Sequence, residues 1–159
     1  MKIHKLKNKG FLVIEIVIGA AIIVVSVLAA MSVTQKSVYV SRQSFHISQA
    51  TFLLEEGAEV VRLLRDDAWT NISSLAPATN YYPIFSSSWS LSTSFSSVGN
   101  FTRTITVFNV NRDVTTQDIS VAGVDDPGTK LVTVTVSFPE GGETITKTLS
   151  FYIMDIFSS

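Results

Sequence analysis

Residues 11–31 read FLVIEIVIGAAIIVVSVLAAM, with one charge, Glu15, and one other polar side chain, Ser26. An apolar run of about 20 residues matches the thickness of a bilayer core, so this stretch predicts a transmembrane helix. Lys2, Lys5, Lys7 and Lys9 stand on its N-terminal side, and no base follows it closely. The positive-inside rule then places the N-terminus in the cytoplasm and exports the rest, giving a single pass with N-terminus in and C-terminus out of a cytoplasmic membrane.

This span accounts for the composition. Charged residues make up 16% of the 159-residue chain and hydrophobic ones 46%, whereas a soluble domain carries about a quarter charged. There is no cysteine, which excludes a disulfide framework, a thiolate metal site and a cysteine nucleophile. The net charge of -1 gives no basis for direct contact with nucleic acid, which needs clustered Lys and Arg. Four of the twelve bases precede residue 10; the remaining 8 face 13 acids, leaving -5.

Downstream of Met31 there is no proline before Pro77 and a single glycine, Gly57. Nothing breaks the helix at the membrane surface, so it is expected to run on through 32–65 as an amphipathic half. Val38, Phe45 and Phe52 recur every seven residues, while Leu53, Gly57, Val60, Val61 and Leu64 form an apolar stripe. Glu55, Glu56, Glu59, Arg62 and Arg65 fall mostly off it. A helix from Phe11 to about Arg65 measures roughly 80 Å at 1.5 Å per residue, so half of it must stand outside the bilayer.

Residues 66–100 are rich in serine and aromatics, including Trp69, Tyr81, Tyr82, Phe85, Trp89 and Phe95. Their poor periodicity predicts an irregular segment clamped to a sheet. From Phe101 the period changes to two. FTRTITVFNV (101–110), DISVAGV (118–124), KLVTVTVSF (130–138) and ETITKTLSFYIM (143–154) read as strands, by their alternation and their Val, Ile, Thr and Phe content. Asp125-Asp126-Pro127-Gly128 reads as a turn, and Pro139-Glu140-Gly141-Gly142 as a hairpin loop. The apolar face carrying Ile105, Val107, Val132, Val134, Val136 and Ile145 needs a cover, and the amphipathic half-helix is the large apolar surface on hand. The expected fold class is α+β: a long N-terminal helix packed on a small antiparallel sheet at 101–159.

The run KNKGFLVIEIVIGAA (residues 7–21) holds the functional signal. An acid in a membrane helix costs about 2.5 to 3.5 kcal/mol at the centre, so Glu15 needs a partner. A basic leader ending in glycine, then phenylalanine, then glutamate as the fifth residue of the mature chain resembles the type IV pilin and type II secretion pseudopilin superfamily; Gly10, Phe11 and Glu15 match all three positions. The resemblance implies that prepilin peptidase removes residues 1–10 by cutting between Gly10 and Phe11, and that Phe11 is then N-methylated. It also implies subunit assembly through Phe11 and Glu15, the carboxylate of one copy pairing with the new amino terminus of its neighbour. The partners implied are other pilin or pseudopilin subunits, an inner-membrane assembly platform and the lipid bilayer, with the product an extracytoplasmic or surface filament. Leu12 stands where Thr or Ser is frequent, Ser32 where many major pilins carry proline, and the C-terminal cysteine pair is missing. These departures point to a minor pilin or minor pseudopilin.

Competing readings are blander. Leu28-Ala29-Ala30 resembles a signal-peptidase site, but such signals have a 7–15-residue apolar region without a charge. His46, the only histidine beyond the leader, is expected on the exposed side of the helix. Asp118, Asp125 and Asp126 offer oxygen ligands for calcium, though their spacing fits no twelve-residue loop and a plain turn suits Asp125 and Asp126 better. Asn71-Ile72-Ser73 and Asn100-Phe101-Thr102 match a glycosylation triplet that recurs by chance. No acid, base and nucleophile group together, so neither an enzyme nor a cofactor is expected. The alternative function is a membrane-tethered exported binding module that does not polymerise, which an exposed Trp69 or Trp89 would favour.

Overall fold

The computed structural model describes residues 9–157, with side chains from Leu12 onward. The described residues divide into two compact units, 9–45 and 46–157. Helix α1 (Lys9–Asp67) contributes to both, and beyond residue 10 its only glycines are Gly19 and Gly57.

In the first unit no residue from Leu12 to Arg42 is buried. The Ser26, Ser32 and Thr34 hydroxyls donate to the carbonyls of Ile22, Leu28 and Ala30 at 2.8, 3.0 and 3.0 Å. Such back-bonding satisfies these three hydroxyls within the helix itself, without water. Among the described residues this helix is the one long and apolar enough to cross a membrane.

The second unit holds the rest of α1 and then α2 (Thr70–Ser73), β1 (Tyr82–Phe85), β2 (Trp89–Ser92), β3 (Ser97–Val98), β4 (Phe101–Arg112), β5 (Val124–Glu140) and β6 (Glu143–Met154). β1 and β2 form a hairpin, and β3 to β6 an antiparallel sheet in sequence order. The expected α+β arrangement is present: the later part of α1 packs on this sheet.

Alternation builds the core. Register pairs Ile105 with Val134 and Val107 with Val132, and these four with Val136 are at most 1% exposed. Ala50, Leu54 and Val61 close over them, with Ile72, Phe138 and Ile153 completing the cluster. Spacings of four and seven keep the helical residues on one face. Of the expected stripe, Gly57, Val60 and Val61 are buried and Leu53 and Leu64 half-buried. Phe45 and Phe52 are instead 61% and 69% exposed. Phe52 lies two residues from both Ala50 and Leu54, about 200° round the helix from each, so it points away from the sheet.

Three local readings change. The turn expected at Asp125–Gly128 lies inside β5, where the ladder jumps from Asn109–Lys130 to Val110–Asp126. The extra residues form a bulge that accommodates Pro127, which lacks an N–H for the ladder. The strand expected at 118–124 reduces to one bridge, Ile119 with Arg112. The final hairpin is tighter than four residues: Glu140 pairs with Glu143 across Gly141 and Gly142, whose φ values of +61° and +89° suit a two-residue turn.

Residues 66–100, read as irregular, contain α2 and the β1–β2 hairpin, yet they are clamped to the sheet as expected. Tyr81 and Ile105 exchange backbone hydrogen bonds of 2.9 and 2.8 Å, and the Ala76 N–H donates to the Tyr81 hydroxyl at 2.8 Å. Asn71 closes the end of α1 by donating its amide to the Leu64 carbonyl at 3.1 Å.

Candidate functional site

The backbone of α1 includes Gly10 and Phe11, but the side chains of Lys9 and Phe11 lie outside the described residues, as do Lys2, Lys5 and Lys7 altogether. Glu15 is described. It sits four residues after Phe11, one helical turn away, on a surface formed by Ile14, Ile16 and Ile18, which are 55%, 63% and 54% exposed. No hydrogen bond or ion pair engages its carboxylate among the described residues. The chain thus presents an acid on an exposed apolar helix with no base paired to it among the described residues.

In the sheet unit, polar chemistry serves the fit of helix to sheet. Arg103 is only 4% exposed. Its guanidinium pairs with Glu56, donates to the Leu53 carbonyl at 3.3 Å and lies 5.8 Å from the Trp89 ring. Its Nε has no partner, so a buried charge is held by a half-exposed carboxylate and an aromatic face. Gly57 makes room for this group: a Cβ there would sit 2.7 Å from Val134 Cγ1 and 3.3 Å from Arg103 Cδ. Sequence reasoning missed Arg103, although the inward alternation of Arg103, Ile105 and Val107 in one strand carried the signal.

His46 corrects the expectation of an exposed position. It lies four residues before Ala50 and hence on the core side, half-buried. Its Nδ1 pairs with the Glu140 carboxylate, and its ring meets Phe101 and Phe138 edge-on at 6.3 and 6.1 Å. The pair fastens the β5–β6 hairpin to α1.

The calcium candidates are not assembled. Asp126 accepts from Arg112 Nε at 2.6 Å and from the Gly128 N–H at 2.9 Å. Hydrogen bonding from Thr129, and then from Arg112 and Gly128, holds its carboxyl below the usual aspartate range against partial desolvation. Among the described residues no group of three or more His, Cys, Asp or Glu side chains is placed to hold a metal ion, so Asp118 and Asp125 do not join Asp126 in a site. Nor is there an exposed tryptophan platform. Trp69 is half-buried with its N–H donating to the Pro127 carbonyl at 3.3 Å, and Trp89 is half-buried between Arg103 and Phe85, with its ring 5.3 Å from that of Phe85.

Comparison with family models, with curated proteins and with solved structures finds no match to this chain.

Proposed function

We propose that this chain is a structural subunit, a minor pilin or pseudopilin of a type IV pilus or type II secretion-like filament. It enters the cytoplasmic membrane as a single-pass protein, N-terminus in, and prepilin peptidase cuts it between Gly10 and Phe11. After methylation of Phe11 it joins other subunits at the inner-membrane platform. It performs no chemistry and holds no cofactor.

The observation that carries this reading is Glu15, a carboxylate without a partner among the described residues, on a helix that buries nothing between Leu12 and Arg42. In lipid such a charge is costly unless paired. A neighbour's cationic amino terminus supplies the pair, and the surrounding apolar surface supplies helix-to-helix packing, with Gly19, Ala20 and Ala21 small enough for close approach. Residues 46–157 are then the folded unit that each copy carries into the filament.

The test is Glu15→Val in the full chain. Membrane insertion is unchanged or improved, while recovery in sheared filaments falls about tenfold or more, the scale of one lost buried charge pair. Undiminished recovery would remove the pairing and the reading with it.

A further inference from the structure

Between Ile16 and Leu54 the chain has no Asp or Glu, yet it carries Lys36 and Arg42. Val33, Val38, Tyr39 and Val40 beside them are 70%, 49%, 41% and 46% exposed. Lys36 Nζ lies 5.2 Å from the Tyr39 ring, and among the described residues no carboxylate pairs with either cation. Residues 55–159 are the reverse, with 12 acids and 6 bases. At about 100° per residue, Val38, Tyr39 and Arg42 share one side of α1 and border an apolar groove with Met31 and Thr34, while Val33, Lys36 and Val40 lie on the other side; the Val38–Tyr39–Arg42 side is thus apolar and carries one cation.

The connection between β4 and β5 has the matching character. Val114, Val121 and Val124 are 70%, 100% and 63% exposed, an unusual display for three valines in a short segment. Asp113 accepts the N–H groups of Thr116 and Thr115 at 3.0 and 2.8 Å; these bonds hold its carboxyl below the usual range and keep it ionised. Asp118 and Asp125 are exposed. A cleft of about 330 Å³ opens here, with Arg112, Asp113, Val114, Val124, Asp125 and Asp126 in its wall, three acids to one base. Arg112, the one base between residues 104 and 129, is already engaged by Asp126 at 2.6 Å.

Building on the subunit reading, we infer that the 113–125 segment of one copy docks on the Val38–Tyr39–Arg42 side of α1 in a second copy, its valines against Val38 and Tyr39 and its cleft receiving Arg42. Charge and apolarity match on both sides, whereas two 113–125 segments set against each other would bring like charges together. The contact joins two different surfaces, so it is heterologous and repeats into an open filament unless its rotation closes a ring. It also requires copies of this chain to be neighbours, giving runs of the subunit within the filament.

Two measurements on the full chain in native filaments test this. Arg42→Glu and Asp125→Arg each lower recovery in sheared filaments about fivefold, the scale of one reversed surface charge pair, and the double variant recovers most of the loss. Because the chain has no cysteine of its own, Tyr39→Cys with Val121→Cys reads the contact directly: under mild oxidation it yields disulfide-linked dimers and longer ladders, while either single variant does not form the ladder. Absence of the ladder, or a double charge variant as poor as its worse parent, overturns the docking. That second outcome is also the one expected if Arg42 serves a lipid phosphate instead. Unaltered chain found in filaments alongside either failure sinks the docking alone; unaltered chain missing from filaments sinks the subunit reading and the docking together.

Discussion

Residues 12–42 and 46–67 of α1 belong to one helix and are both rich in apolar residues, but they are apolar in different ways. The later stretch is striped: Ala50, Leu54, Ala58 and Val61 are buried, while Glu55, Glu59 and Arg62 stay exposed. The earlier stretch is apolar on every side through Met31 and buries nothing. A stripe matches one surface, here the valine face of the chain's own sheet; an all-round apolar helix needs an environment that surrounds it. In the proposed function, lipid provides that environment first and other subunits provide it afterwards. The contrast separates what this chain stabilises for itself from what it requires of its surroundings.

Core truncations probe the contrast most strongly. Ile105→Ala, at a fully buried site, is expected to cost about 2–5 kcal/mol of the sheet unit's stability. Ile23→Ala, the same deletion at a site 65% exposed, is expected to change that stability by less than about 0.5 kcal/mol. Denaturant unfolding of the full chain in detergent, followed by tryptophan fluorescence from Trp69 and Trp89, reads both. Equal costs would break the division between the two stretches.

Gly57→Ala sharpens it. Alanine improves helix propensity by about 1 kcal/mol, but overpacking against the stiff, fully buried Val134 costs about 1–3 kcal/mol. The net expectation is a loss of up to about 2 kcal/mol in the same assay. A gain would mean that helix and sheet are less closely seated than the 2.7 Å approach requires.

Asp126 supplies the smallest effect, one tied to pH. Its carboxyl ionises at lower pH in the fold than in the unfolded chain. The stabilisation is therefore complete above about pH 4 and is lost as pH falls through the folded value. Asp126→Asn is expected to cost under about 1 kcal/mol at pH 7, with the gap from the parent chain closing below about pH 4. A gap that widens in acid would contradict the assignment.

The legible parts of this sequence were those with a sustained period. Residues 11–31 declared themselves by length, and Ile105, Val107, Val132, Val134 and Val136 by alternation. The β1–β2 hairpin was hidden because Ser86, Ser87 and Ser88 connect it in place of a glycine or asparagine turn. The Asp-Asp-Pro-Gly signal misled because its local bond, Gly128 N–H to Asp126 at 2.9 Å, is satisfied within a bulged strand as well as in a turn. The pairings of His46 and Arg103 were hidden for a further reason. Their partners Glu140 and Glu56 lie 94 and 47 residues away, and only the tertiary fold brings such charges together. The proposed role of Glu15 rests on its position in an apolar run five residues after Gly10, and on no tertiary contact.

The most direct measurement is the mass and N-terminal fragmentation of the chain taken from native membranes and from sheared surface filaments. The account predicts a protein beginning at N-methylated Phe11 in both fractions. A chain that begins at Met1 or near Met31, or that is missing from the filaments, would contradict it.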